Sequence, residues 1–412
     1  MKVVIIGGGI IGMCCAYYLN KKGIDVHIIE KTDGKNGCSF GNAGYISPSH
    51  YIPLASPGII SQGLKWMLSS SSPFYIKPRF DLDLIKWGLK FWSNCNEHKV
   101  NKSIPALNQF LHYSREKTID MSSELKNSFD LELNGCYMMY RLQKTADHEL
   151  ELCHRSKELG IDTKVYSKEE LQQLEPNLGI TSLGAVFYPI DAHLNPIKWM
   201  NSLKSHLENN GVHFSFNSEV SSFEKKSKKI LALYTNQKKI EFDHLIIASG
   251  SWLPHTLKKL NLNILLQPGK GYSTTYENQP INLSKPAILV DDRVALTPLG
   301  SSLRVGGTME ISGINNDIKL NRVEAIINAV NKNFVNLNLT MPPENKIWNG
   351  LRPVSPDGLP YVGHAKSYDN LTIAGGHAMI GVSLAAGTGK IISDLINHSN
   401  TEIDIKAFAI DR

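Results

Sequence analysis

Arg352 stands in "WNGLRPVSPDGLPYVG" (348–363), stiffened by Pro353 and Pro356. A guanidinium is a planar fork of donors, the side chain best suited to hold a carboxylate. Chemistry at the carbon beside a carboxylate needs such a clamp, so Arg352 is the first candidate. Arg304, in "LRVGG", offers the same group from a strand, where a structural pairing is the plainer expectation. Tyr272 in "QPGKGYS" (267–273) could cover a substrate or bond its carboxylate, although strand tyrosines commonly serve the core. His377 follows two glycines in "AGGHAMIG"; it invites a general-base role but suits a cofactor contact better. Asp191 and His193 in "PIDAHLNP" read as turn and capping residues.

A second chemistry is written into the first thirty residues. "MKVVIIGGGIIGMCCAYYLNKKG" has the outline of an export signal, but its apolar core is broken by Gly7, Gly8, Gly9 and Gly12, and no Ala-x-Ala site follows. The alternative fits each residue. Lys2 to Ile6 is a buried strand, Gly7-x-Gly9-x-x-Gly12 opens a helix through Ile10 and Ile11 to about Lys22, and "DVHIIE" is a second strand ending at Glu30 and Lys31. Gly7 allows the tight turn, Gly9 lets backbone approach a pyrophosphate, and Gly12 lets helix pack on strand. The helix N-terminus offers free N–H groups to phosphates, and Glu30, eighteen residues past Gly12, is placed for ribose hydroxyls. This is the fingerprint of a dinucleotide site.

Glu30 disfavours a 2′-phosphate, leaving NAD or FAD. The loop "GCSFGNAGYISPSHYIPLASPG" (37–58) supplies Ser39, Asn42, Ala43 and Gly44, small residues that let backbone run close to a flat ligand. Residues 211–252 read as a meander of short strands containing Val220, closing on a buried strand, His244 to Ser249, and Gly250. No second GxGxxG accompanies it. In 371–396 a strand, Gly375-Gly376, and a helix from Ser383 bring Gly376, Gly381, Val382 and another helix N-terminus to the site. A flavin gains negative charge on reduction and is suited by that second positive pole; a nicotinamide has no need of it. "AAGTGKII" resembles a phosphate loop but fails, with Leu384 in place of the first glycine and Ile391 in place of Ser/Thr.

These motifs occur in the order seen in the D-amino-acid oxidase-like flavoproteins: the fingerprint, "SFGNAG…SP", "IIASGSW", "KGYS", "RVGG", "GLRPVSPDGLPYVG" and "GGHAMIGVSLAAGTG". The sequence most resembles their bacterial D-amino-acid dehydrogenase branch, including relatives acting on D-proline or hydroxy-D-proline. The resemblance implies FAD, a small amino-acid substrate, and hydride transfer from Cα to flavin N5, giving an imine that water converts to a 2-oxo acid. It also implies a quinone or another electron acceptor. Hydride transfer from a neutral amine needs no obligatory protein base, so orientation by Arg352 carries the mechanism. Some relatives tether FAD through a cysteine ahead of this arginine; "NKIWNGLR" (345–352) has none, so non-covalent FAD is expected. A glycine or sarcosine-type oxidase using oxygen, and a non-catalytic FAD-binding subunit, are the alternatives.

The elements that must position these groups follow. The expected fold is α/β (α+β overall), a Rossmann-like FAD-binding domain with a discontinuous mixed-sheet substrate domain. Residues 1–50, 145–260 and 345–412 are assigned to the first, 51–144 and 261–344 to the second. A helix near 80–130 carries Leu107, Phe110 and Leu111 at helical spacing. At 412 residues, 42% hydrophobic and 20% charged, the chain can fill two or three packed units. Its net charge of +6 is not the dense positive stripe of a nucleic-acid binder, and "EKKSKK" (224–229) reads as a solvated hairpin turn. The six cysteines show neither CxxC nor metal spacing, which suits reduced thiols in the cytoplasm and no metal. In 56–80, Ile60, Leu64, Met67 and Leu68 form an apolar helix face with Lys65, Trp66, Lys77 and Arg79 nearby. Packing on the protein's own core is the first expectation. Peripheral contact with the inner face of the cell membrane is the second.

Overall fold

Strands covered on both faces lose the in–out alternation and become continuous apolar runs. Val3–Ile6 and Leu245–Ile247 are such runs. In the computed structural model, which describes residues 1–61, 63, 72–236 and 238–412, they lie side by side at the centre of a six-stranded sheet. Its order is Tyr361–His364, Leu371–Gly375, His244–Ile247, Lys2–Ile6, Asp25–Ile29 and His213–Ser215. All neighbours are parallel except the first pair. The helix Ile10–Asn20 leaves the first strand through the glycine turn. The lysine-rich 224–229 stretch is a hairpin turn in a separate three-stranded sheet, with Ser227 at φ 53.

Two further helices bury the dinucleotide helix. Ala385–Ile396 crosses it so closely that a Cβ on Gly389 would stand 2.5 Å from the Cys14 carbonyl carbon. The helix Glu97–Glu124, capped by the Asn96 side chain on Lys99 N, meets Gly387 through Ser114, whose Oγ accepts from Gly387 N at 3.0 Å. The glycines that imitate a phosphate loop are therefore helix-packing positions. Leu107, Phe110 and Leu111 are all buried in this core.

A nine-stranded mixed sheet forms the second layer. Along it run Trp348–Val354, Gln267–Tyr276, Ser302–Ile311, Val294–Leu299, Ala287–Leu289, Cys136–Tyr140, Gly184–Tyr188 and Lys164–Ser167, with Phe74–Ile76 paired to Ser302–Ile311. The segments 145–260 and 345–412, expected to serve the cofactor unit, each lend strands to this sheet. Helix Leu320–Asn333 covers one of its faces through Val323, Ile326, Ile327 and Val330.

Of the expected apolar face in 56–80, Leu64, Lys65, Trp66, Met67 and Leu68 lie outside the described residues. The neighbouring helix Leu82–Asn94, capped by Asp81, turns a strip of Leu82, Ile85, Leu89 and Trp92 outward, with Phe80 just before it. Phe80 is 93% and Trp92 67% exposed, so this strip is unpartnered by the described residues. No helix among the described residues is long and apolar enough to cross a membrane.

Candidate active site and cofactor cavity

The two sheets enclose a cavity of about 1190 Å³, above the roughly 300–1,000 Å³ of common small-molecule sites. Gly7, Gly9, Ile10, Ile11, Glu30, Lys31, Ser39, Asn42, Ala43, Val220 and Gly250 line it at one end. Arg352, His377, Gly381 and Val382 also line it, so one space joins the fingerprint to the candidate arginine. Gly12, Gly44 and Gly376 stand behind the wall instead, packed on Gly7, Leu194 and Tyr361 respectively.

The fingerprint end is built by close approach. Gly7 has φ 114, and a Cβ there would meet Ala248 O at 2.4 Å. A Cβ on Gly12 would stand 2.0 Å from Gly7 O. Only glycine lets the turn, the helix and the next strand crowd together. No residue caps the helix from its own N-cap; Ser39 Oγ reaches over and accepts from Ile10 N at 3.0 Å. Glu30 accepts from Gly8 N and Thr32 N, both at 2.9 Å, which holds its carboxylate at the end of the second strand. Lys31 lays its ammonium 3.7 Å over the Trp252 ring. The helix N-terminus, the acid and the glycine floor fit a pyrophosphate and a ribose. At the other end, Ser383 Oγ donates to Tyr45 O and accepts from Ser47 N, fixing the 45–47 segment beside the final helix's N-terminus, which carries no side-chain cap. Both ends thus offer helix dipoles to one elongated, electron-rich ligand.

Arg352 lies over the second sheet. A Cβ on Gly271 would meet its Nη1 at 2.1 Å, so the glycine makes room for the guanidinium. Nη1 donates to Thr308 O at 2.7 Å. Thr308 has φ 61, rare for a β-branched residue, and its Oγ1 is buried without a partner. Arg352 has no carboxylate within 4.0 Å among the described residues. Burial disfavours its cation, with Cys38 the nearby group that opposes this. Most of its donors are left for a ligand.

Arg304 is spent differently. Its Nε donates to Thr275 Oγ1 at 3.1 Å, and its Nη1 donates to Phe40 O and Asn42 O at 3.0 and 2.8 Å. It ties the 39–44 loop to the sheet and is a structural group. Tyr272 also lines the cavity, but its hydroxyl is engaged behind the sheet. Lys270 and Tyr272 face away from Gly271, and the hydroxyl donates to Glu310 Oε2 at 3.1 Å. Fully buried Lys270 is 3.6 Å from the same carboxylate, completing a cluster behind the sheet. His377 Nε2 is 3.0 Å from Thr388 Oγ1, and burial lowers its pKa to about 3, so it is neutral and a poor base. Asp191 is fully buried and accepts from Ser49 N at 3.0 Å and Ser49 Oγ at 2.6 Å. His193 bonds Pro298 O, while Asn195 caps the following helix.

Trp252, Trp348, His50, Glu149 and Arg293 also line the cavity and were missed. Trp252 had a signal, following the strand-closing Gly250 by two residues. Trp348 stands in the Arg352 motif and His50 in the 37–58 loop, so both lay in segments already marked; Glu149 and Arg293 had no such signal.

The family model for DAO, FAD-dependent oxidoreductases, matches residues 2–395. A curated relative, D-amino acid dehydrogenase of Helicobacter pylori, is 33% identical over 411 residues, spanning 98% of this chain and 97% of that protein. Two solved structures share the fold. Glycine oxidase from Geobacillus kaustophilus has a TM-score of 0.81 at 21% identity, covering 100% of this chain and 99% of that one. L-proline dehydrogenase from P. horikoshii has 0.77 at 18%, covering 99% and 96%. The cavity and fingerprint define a dinucleotide-binding oxidoreductase. The chain belongs to the DAO family of FAD-dependent oxidoreductases.

Proposed function

We propose that the protein oxidises a small D-amino or cyclic D-imino acid at Cα to an imine, which water converts to a 2-oxo acid, and passes the electrons to a quinone-class acceptor. One observation carries this reading: a guanidinium with spare donors, Arg352, shares a cavity with the dinucleotide fingerprint. The name of the Helicobacter pylori relative supports the D-amino-acid part. FAD, when bound, supplies the two-electron sink that takes the Cα hydrogen as hydride.

The chain's own residues do the rest by placement. Arg352 holds the carboxylate with a two-pronged bond and fixes how Cα is presented. Thr308 O holds Arg352 in turn. His377 is held neutral and contributes a polar wall, not a proton acceptor. The apolar strip on Leu82–Asn94, with exposed Lys77, Lys86 and Lys90 around it, supports contact with an anionic membrane surface, where a lipophilic acceptor resides.

The test is anaerobic addition of D-alanine, D-proline, hydroxy-D-proline, their L forms and sarcosine while following the yellow absorbance. Bleaching by D or cyclic D forms alone is expected, with recolouring faster by a soluble quinone than by air. Bleaching by L forms or sarcosine, or fast recolouring in air, would remove the dehydrogenase assignment and leave the oxidase alternative.

A further inference from the structure

The cavity has a polar corner that the carboxylate clamp does not use. Glu149, on helix Gln143–Glu158, is 6% exposed and lines the cavity. Its carboxyl makes no hydrogen bond, and no ion pair within 4.0 Å, among the described residues. Arg293, a solvent-exposed residue, lines the same wall from a left-handed turn position, φ 54, and its guanidinium makes no bond to the described residues. His50 completes the corner. Its Nδ1 is 3.0 Å from Ser49 Oγ, which donates to Asp191 Oδ2. In the tautomer where the serine proton goes to the aspartate, Nδ1 donates to Ser49 Oγ and Nε2 is left as an acceptor.

The corner is a hydrogen-bonding slot in which Arg293 supplies the cation. Burial holds His50 neutral down to about 4, with Arg293 reinforcing this. Burial pushes Glu149 up to about 7, Arg293 opposing and Asp291 adding to the rise. The other ionisable groups around it, Tyr51, Tyr140, Tyr188 and Cys153, are all pushed up and uncharged. Met138, Leu152, Ile288 and Val290 give apolar walls. His148, exposed and also on the cavity wall, opens the corner to solvent. Arg352 is removed from these charges, its ionisable neighbour being Cys38.

We propose that Glu149, Arg293 and His50 form a docking and proton-delivery site for a quinone-class electron acceptor; this rests on the acceptor reading given above. A dione presents two carbonyl oxygens, which Arg293 and protonated Glu149 meet as donors. An ammonium-bearing substrate would instead face the Arg293 cation. The acceptor takes two electrons and one proton from the reduced cofactor and its second proton from Glu149, becoming a hydroquinone. Glu149 regains a proton from water at the His148 opening. His50 Nε2 accepts a hydrogen bond from the new hydroxyl.

The experiment separates the two half-reactions of the holoenzyme by anaerobic stopped-flow. Glu149→Gln should lower the rate of recolouring by a short-chain ubiquinone at least about 10-fold, as loss of a general acid does. Bleaching by the D-amino acid and its half-saturating concentration should stay within about twofold, and recolouring by ferricyanide, which takes electrons without protons, should be unchanged. Arg293→Met should weaken ubiquinone saturation, and Glu149→Asp should restore part of the lost rate. Slower bleaching or weaker amino-acid saturation with normal recolouring would assign the corner to the substrate and overturn the proposal. So would unchanged recolouring in folded, yellow Glu149→Gln and Arg293→Met proteins. A wild-type protein that ubiquinone does not recolour would sink the acceptor reading itself, before any variant is compared.

Discussion

Arg304 and Arg352 are the same side chain on two strands of one sheet, both flanked by glycines in sequence. The fold uses them for opposite ends. Arg304 is satisfied by Thr275 and two loop carbonyls, so its charge is consumed in holding Phe40 and Asn42 where the cofactor loop needs them. Arg352 is given a single carbonyl and a glycine to lie on, and keeps its remaining donors. A saturated arginine is architecture, and an unsaturated one facing a cavity is a binding group. Burial pulls Arg304 down to about 10, so it stays charged at neutral pH without a carboxylate partner.

The contrast breaks most readily at Arg352. Arg352→Met should lower kcat/KM by about 100- to 1,000-fold, the loss of a buried charge-assisted contact, while the protein stays yellow and its Tm moves little. Arg352→Lys should recover only part of this, because a single ammonium lacks the fork. Arg304→Met should do the reverse. It leaves Phe40 O and Asn42 O unpaired, costing about 2–4 kcal/mol in thermal or denaturant unfolding, and should release FAD more readily. Once saturated with FAD, its bleaching rate should approach that of wild type.

A third variant tests the support beneath the loop. Burial pushes Asp191 up to about 7 from an ordinary 3.8, despite the bonds from Ser49. The folded state therefore keeps a proton that the unfolded chain loses. Relative to Asp191→Asn, wild type should be favoured most below about pH 4 and lose up to about 4 kcal/mol as pH rises through 7. Paired unfolding curves at pH 4.5 and 7.5 would show it; a pH-independent difference would mean the aspartate is ionised throughout. The smallest effect is expected at Ser39→Ala, about 1 kcal/mol from the lost cap on Ile10 N, read as weaker FAD retention.

The cofactor end was legible because its logic is local. Strand, turn, helix and acid fall within Lys2 to Glu30, and Gly7 and Gly12 answer to contacts made by the adjoining strand and by the turn itself. The second sheet was not, because its strands pair across long separations. Phe74–Ile76 meets Met309–Ile311, and Cys136–Tyr140 meets Ala287–Leu289, with nothing in either segment to name its partner. Tyr272 shows a face that could have been read. Gly269, Gly271 and Ser273 alternate with Lys270 and Tyr272, and small residues on one face leave the room Arg352 occupies. His50, Glu149 and Arg293 lie in three segments with no shared spacing, and only the fold around the cavity brings them together.

The most direct measurement is the binding of an unreactive carboxylate, benzoate, followed by its perturbation of the flavin spectrum in wild type, Arg352→Met and Arg304→Met. Saturable binding should persist in Arg304→Met reloaded with FAD and weaken about 100-fold or more in Arg352→Met. Equal affinity in wild type and a folded, yellow Arg352→Met protein would contradict the assignment of Arg352 as the carboxylate clamp.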